Sequence, residues 1–211
     1  MGRIIVVFLI SLTFLAGCNV EVNQSIDTGD DAQIKHDLTT VNGSIRIGKR
    51  SRVDGNCRAV NGNIELDDEA RTRDLNTING RVELGRKAEI RGDIVTINGS
   101  IESGPGSVIT GELSTINGQI DLRGTEVGQD LYTLSGDVFL KEGTVIKGDI
   151  LVQKKGMIND SSNRLYLTIR ISGGSVVEGN VIVKDKEREV TVDLREGGKV
   201  LGEIRNARIE K

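Results

Sequence analysis

The sequence has very few aromatic side chains. It contains no Trp, two Tyr and three Phe among 211 residues, together with a single Pro. Large aromatic residues dominate many compact cores, so a conventional globular core is not expected here. The chain must instead bury Ile, Val and Leu in thin, regular layers, as proteins built from stacked repeats do. Its 36% hydrophobic and 28% charged content is that of a folded protein.

Groups that carry chemistry are equally scarce, since the chain has one His and two Cys. The formal net charge is −3, and both signs are spread along the chain without a basic cluster. This distribution argues against a nucleic-acid partner. We therefore expect no metal, no other cofactor and no enzymatic activity.

The N-terminus has the pattern of a signal peptide. An apolar run over residues 4–15 is too short to span a bilayer as a helix, and small residues follow it before Cys18. The segment Leu15-Ala16-Gly17-Cys18 resembles the lipobox of bacterial lipoproteins. This resemblance implies cleavage before Cys18 and acyl chains, such as palmitate, on that residue. Asn19 is similar to the residue that directs such lipoproteins to the outer membrane, so we expect an anchor on its periplasmic face. The alternative is an ordinary cleaved signal with a Cys nearby.

One phrase recurs along the chain, Thr-(Ile/Val)-Asn-Gly-x-(Ile/Val)-x-(Leu/Ile), with a period of 18 to 19 residues. Its glycines, which we expect to form corners, are Gly43, Gly62, Gly80, Gly99, Gly118 and Gly136. A second phrase, (Ile/Val)-x-Gly-(Asp/Glu/Asn)-apolar, lies half a repeat away and returns near the C-terminus at 200–204. Internal repeats of this length are typical of solenoids.

Apolar residues alternate within each repeat, which indicates strands. We place Ile97, Gly99 and Ile101 on one side of the chain. Three short strands joined by corners would make one coil, and parallel coils would stack about 4.8 Å apart. The prediction is an all-β, single-stranded parallel β-helix of about ten coils, right-handed, forming a rod roughly 45 to 50 Å long. Its predicted parts are a signal peptide (1–17), a lipidated N-terminus (18–21), regular coils (22–152), an irregular inserted coil (153–183) and a C-terminal coil with cap (184–211).

Two columns follow from the period. Residues 45, 64, 82, 101, 120 and 138 are all Ile or Val and should stack into one aliphatic ladder. The asparagines of the repeat should form a structural ladder whose amides hydrogen-bond from coil to coil, and Asn-Gly tolerates the positive φ of a tight corner. These are Asn42, Asn61, Asn79, Asn98 and Asn117.

Gly-Asp-Ile, the recurrent Asn-Gly-x-Ile and Gly-Gly-Lys-Val-Leu-Gly-Glu-Ile at 197–204 resemble the bactofilins, or polymer-forming cytoskeletal proteins. The resemblance covers most of residues 22–204. It implies a right-handed β-helix that assembles end to end without nucleotide and acts as a scaffold. This chain departs from the family in its lipoprotein signal, its short segment between Cys18 and the first coil, and its irregular region.

Three further features have bland and sharp interpretations. Cys57 aligns with inward aliphatic positions, so it is expected to be a small core residue, with a reactive or dimerising thiol as the alternative. His36 aligns with corner glycines and is expected to be solvated. An outward column of Glu65, Glu83, Glu102 and Asp121 places like charges side by side; the expected compensation comes from Arg71, Arg81, Arg86 and Lys87, and the alternative is weak divalent-cation binding.

The sequence supports three functional hypotheses. The first is a non-catalytic, membrane-anchored scaffold lipoprotein of the cell envelope that oligomerises or polymerises through its open ends. The second is a periplasmic or surface adhesion module, a monomeric rod that binds an envelope protein or glycan. The least favoured is a β-helix enzyme acting on polysaccharide. If a partner site exists, we expect it on the insertion at 153–176 or on the last coil.

Overall fold

The computed structural model describes residues 20–154 and 166–211, and over these ranges the chain is all-β and forms no helix. Three parallel sheets, which we call A, B and C, are stacked as a β-solenoid, and each coil adds one short strand to each sheet in turn. The predicted parallel β-helix is confirmed. The predicted signal peptide and Cys18 lie outside the described residues.

Sheets A and B have ten strands each and sheet C has nine. Sheet A consists of Val20–Val22, Leu38–Val41, Cys57–Val60, Leu75–Thr77, Ile94–Asn98, Leu113–Asn117, Leu131–Thr133, Ile150–Val152, Val181–Val183 and Ile204–Arg205. Sheet B consists of Ile26–Asp27, Ile45–Ile47, Ile64–Leu66, Val82–Leu84, Ile101–Ser103, Ile120–Arg123, Val138–Lys141, Tyr166–Ile171, Glu189–Leu194 and Arg208–Glu210. Sheet C consists of Gln33–Ile34, Arg52–Val53, Arg71–Thr72, Glu89–Ile90, Val108–Ile109, Glu126–Val127, Val145–Ile146, Val176–Val177 and Lys199–Val200. We number the coils 1 to 10 from the N-terminus.

The core is a set of aliphatic ladders along the axis. In sheet B each Ile or Val of the predicted ladder lies directly beside its equivalent in the next coil and is at most 1% exposed; these residues are Ile45, Ile64, Val82, Ile101, Ile120 and Val138. A buried aliphatic side chain contributes about 1.5 to 3 kcal/mol relative to an exposed one. Repetition of small layers therefore replaces the missing aromatic core.

Sheet A departs from the expected alternation. Ile97 is not on the same side as Ile101: it is half-buried on the outer surface, and Thr96 points inward instead. The reason is that the chain turns at Gly99 between the sheet A strand and the sheet B strand, so the alternation of one strand does not continue into the next.

The inward threonines of sheet A form a buried column at the corner. The hydroxyl of Thr77 donates to the carbonyl oxygen of Gly62 at 3.0 Å, and the hydroxyl of Thr115 donates to that of Gly99 at 3.3 Å. A hydroxyl buried in an apolar core is costly unless it is hydrogen-bonded. Each threonine therefore satisfies its own hydroxyl while it binds the corner of the preceding coil.

The irregular region is shorter than the expected 153–183. Tyr166–Ile171, Val176–Val177 and Val181–Val183 continue sheets B, C and A in register with the coil before them. The extra residues therefore lie between the strand that ends at Val152 and the strand that begins at Tyr166. Residues 155–165 of this insertion lie outside the described residues.

Candidate functional site

The asparagine ladder runs along the edge between sheets A and B. Each side-chain amide donates to the side-chain oxygen of the asparagine one coil before it, with nitrogen–oxygen distances of 2.7 to 3.0 Å from Asn42 to Asn117. The column begins one coil earlier than the repeat phrase shows, because Asn42 donates to Asn23. These bonds join six coils, so the ladder ties the solenoid together along its axis.

The corner glycines next to the ladder are required for a reason that the dihedral preference of Asn-Gly does not give. None of the six has a positive φ. A Cβ on Gly99 would lie 1.8 Å from the carbonyl oxygen of Gly80, and one on Gly136 would lie 1.7 Å from that of Gly118. Only glycine therefore allows successive corners to stack at the strand spacing. The positive φ falls on the preceding asparagine in the first coils only, at Asn23, Asn42 and Asn61.

A second polar column explains the acidic or amide residue of the second phrase. These side chains lie at the corner before sheet A, and each accepts a hydrogen bond from the backbone N–H of its equivalent in the next coil. Asp93 donates its N–H to Asp74 at 3.1 Å, Asp149 donates to Asp130 at 2.8 Å, and Asn180 donates to Asp149 at 2.7 Å. The sequence contains this signal, but the pattern alone does not assign it a role.

Cys57 and His36 occupy the environments that their alignment predicts. Cys57 is fully buried, and burial raises the pKa of its thiol to about 12, although a hydrogen bond with Thr72 opposes this shift. His36 is exposed at its corner, with Nδ1 3.0 Å from the carbonyl oxygen of Asp37. In residues 20–154 and 166–211, no three His, Cys, Asp or Glu side chains are grouped so that they could hold a metal ion.

The outward carboxylates of sheet B, Glu65, Glu83, Glu102 and Asp121, lie beside one another in coils 3 to 6. We call them the acidic strip. Of the expected basic neighbours only Arg81 pairs with the strip, its Nε lying 3.6 Å from Glu102. Arg71 and Arg86 pair with Glu89 and Asp68 instead.

Asp121 at the upper end of the strip is compensated by a residue outside that expected set, since Lys141 lies 2.7 Å from its Oδ2. Glu65 and Glu83 form no ion pair within the described part of the chain. The middle of the strip therefore keeps uncompensated like charges at neighbouring positions.

Asp193, on the outer face of sheet B in coil 9, lies between two guanidinium groups. Arg195 lies 2.7 Å from one carboxylate oxygen and Arg170 lies 2.8 Å from the other, and the carboxylate is only 4% exposed. The hydrogen bond from Arg195, followed by that from Arg170, lowers the pKa of Asp193 against the opposing effect of burial. Phe139 lies beside this group, with the Arg170 guanidinium 5.7 Å from its ring centre. We interpret this cluster as a clamp between the last coils.

The C-terminal end of the solenoid leaves the core open. Leu201 is 65% exposed and Ile209 is 48% exposed, while Val200 and Ile204 are only partly covered. A shallow hollow of about 400 Å³ lies at this end, between Leu194 and residues 198–201. The strands Lys199–Val200, Ile204–Arg205 and Arg208–Glu210 have a neighbour on one side only. This end therefore presents both apolar side chains and unpaired strand edges.

Comparison of the chain with protein-family models, curated proteins and solved structures gave no match. No helix long and apolar enough to cross a membrane is found among the residues whose structure is described.

Proposed function

We propose that the chain is a non-catalytic structural lipoprotein of the bacterial cell envelope, held to the membrane by acyl chains on Cys18 and joined to further copies through the ends of the solenoid. The observation that carries this proposal is the open C-terminal end. A stack of parallel coils with an uncovered last layer exposes strand edges that must be either capped or paired. In the described part of the last coil no helix or loop covers them.

The N-terminal end supports the same arrangement. The first strand begins at Val20, two residues after the proposed lipidation site, so the first coil would lie close to the lipid headgroups. Val22 in this coil is 57% exposed. Two or more acyl chains anchor a protein stably, whereas one is marginal. The proposed location is the periplasmic face of the outer membrane.

The anchor is tested by Cys18→Ser in the full-length chain, with Cys57→Ser as the matched control. Because Cys57 is buried in the core, its replacement should leave membrane attachment intact. We expect Cys18→Ser to abolish the mass increase from the acyl groups and to move the protein from the detergent phase to the aqueous phase. Acylation that survives Cys18→Ser would exclude this anchor.

End-to-end joining is tested on the chain without residues 1–18 by multi-angle light scattering, with no nucleotide or metal added. Leu201→Glu combined with Ile209→Glu places two charges on the exposed apolar end and should reduce the average mass at least several-fold. Val108→Glu is the control, because Val108 is also exposed but lies on the side of sheet C. A parent chain that stays monomeric at every concentration would refute joining through the ends and favour a monomeric adhesion module.

A further inference from the structure

The first four coils of sheet C carry an excess of positive charge on their outer surface. Five cations, Lys35, Arg52, Arg71, Arg73 and Arg91, face outward there against two carboxylates, Asp54 and Glu89. We call the five cations the basic strip. Arg52 and Arg71 are direct register neighbours, so two like charges face each other across one strand spacing. Such a pair is destabilising unless something compensates it.

The compensation within the chain is incomplete. Arg52 pairs with Asp54 at 2.6 Å, while Arg71 and Arg91 share Glu89 at 3.4 and 3.1 Å. Lys35 and Arg73 form no ion pair with any residue in the described ranges. The basic strip therefore keeps several solvent-exposed cations in adjacent coils.

The acidic strip on sheet B has the opposite excess and the same spacing. Its carboxylates occupy coils 3 to 6, one per coil, and Glu65 and Glu83 in its middle are exposed. Both strips advance by one position per coil, at about 4.8 Å. Two solenoids lying side by side could match several cation rows with carboxylate rows, which a partner without this period could not do.

We propose that the basic strip of one copy docks on the acidic strip of a second copy, with the long axes of the two solenoids aligned. One partner then compensates both sets of like charges, whereas an anionic membrane would compensate only the basic strip. Because the strips lie on different sheets, each copy contacts one neighbour through sheet C and another through sheet B. Contacts of this heterologous kind extend into open arrays. This lateral contact is separate from end-to-end joining and needs no lipid anchor.

The test uses chains without residues 1–18 that carry Leu201→Glu and Ile209→Glu, so that joining through the C-terminal end does not contribute. The basic-strip variant is Arg71→Glu with Arg73→Glu. The acidic-strip variant is Glu65→Lys with Glu83→Lys. The control is Lys184→Glu with Lys186→Glu, which makes the same charge change as the basic-strip variant on an exposed loop away from both strips.

Sedimentation velocity at about 0.01 M salt, where the Debye length is about 30 Å, measures the association. We expect the end-blocked parent and the loop control to associate, and to dissociate at about 1 M salt, where the Debye length is about 3 Å. Each strip variant alone should stay monomeric. An equimolar mixture of the two strip variants should associate again, with at least twice the average mass of either one, because the reversed charges complement each other.

A mixture that stays monomeric would overturn the proposal, as would strip variants that associate like the parent. Parent association that does not change with salt would also overturn it, and this outcome requires no strip substitution. Phosphatidylglycerol vesicles separate out the remaining explanation. If the basic-strip variant loses vesicle binding but keeps its self-association, the strip serves a membrane and the proposal is wrong.

Discussion

Substitution of single asparagines in the ladder separates its two contributions, the amide bonds and the backbone conformation. Asn61 accepts from Asn79 at 2.7 Å, donates to Asn42 at 2.8 Å, and has φ of 57°. Asn98 makes the equivalent two bonds at 3.0 and 2.9 Å, but its φ is not positive. The same replacements at the two positions should therefore have different consequences.

At either position, loss of two neutral hydrogen bonds on an exposed edge should cost about 1 to 2 kcal/mol, since water replaces part of what is lost. Ala at position 61 must also adopt the left-handed conformation, which adds about 1 to 2 kcal/mol. Gly avoids this strain. At position 98 there is no such strain, and Gly costs roughly 0.5 to 1 kcal/mol more than Ala because it gains more freedom on unfolding.

The predicted result is a change of sign: Asn61→Gly is less destabilising than Asn61→Ala, whereas Asn98→Gly is more destabilising than Asn98→Ala. Urea unfolding followed by far-ultraviolet circular dichroism measures all four differences, and this signal suits a chain without Trp. If Ala is the milder replacement at both positions, the role assigned to φ is wrong. If all four changes are within about 0.5 kcal/mol of zero, which is usual for surface substitutions, the ladder does not stabilise the solenoid.

Three other predictions concern single positions. Gly118→Ala places a Cβ 1.9 Å from the carbonyl oxygen of Gly99, so it should destabilise the protein in urea by about 3 kcal/mol or more, while Ser100→Ala should change stability by less than about 0.5 kcal/mol; equal effects would contradict the close-approach argument. The pKa of Cys57 is raised to about 12, so the native thiol should not react with a disulfide reagent at pH 8 until the chain unfolds, and rapid native reaction would contradict its burial. The pKa of Asp193 is lowered by its two arginine partners, so its stabilisation should be complete above the unfolded pKa of about 3.9 and lost as the pH falls through the lower native value; a stability difference between the parent and Asp193→Asn that does not change with pH would contradict this.

The period and the inward ladder of sheet B could be predicted because they depend on one coil being like the next. Every Ile or Val equivalent to Ile101 recurs after 18 to 19 residues and faces the same neighbours. The orientation of Ile97 could not be predicted in the same way. Alternation is a property of one straight strand, and the turn at Gly99 separates the two strands.

The role of the corner glycines depends on a neighbouring coil that no local pattern contains. The sequence shows Asn-Gly and predicts a positive φ, but the constraint on Gly136 is the carbonyl oxygen of Gly118, 18 residues earlier. The inward threonines were missed for a related reason. Thr77 has a polar side chain and would be placed outside, yet the carbonyl group of Gly62 in the preceding coil allows its hydroxyl to be buried.

The two charged strips show a similar limit. The sequence identifies the acidic strip because its members occupy the same position of the clear repeat phrase. The basic strip lies on sheet C, whose two-residue strands have a weak pattern, and its cations are separated by 17 to 20 residues. They form one surface only when the coils are stacked.

The most direct test of the assembly proposal is the length distribution of the chain without residues 1–18 in electron micrographs. Ten coils at about 4.8 Å make one molecule about 48 Å long. Joining through the ends predicts rods whose lengths are multiples of that value, that lengthen as the concentration rises, and that shorten to single units with Leu201→Glu and Ile209→Glu. Rods of one unit length at all concentrations would contradict it.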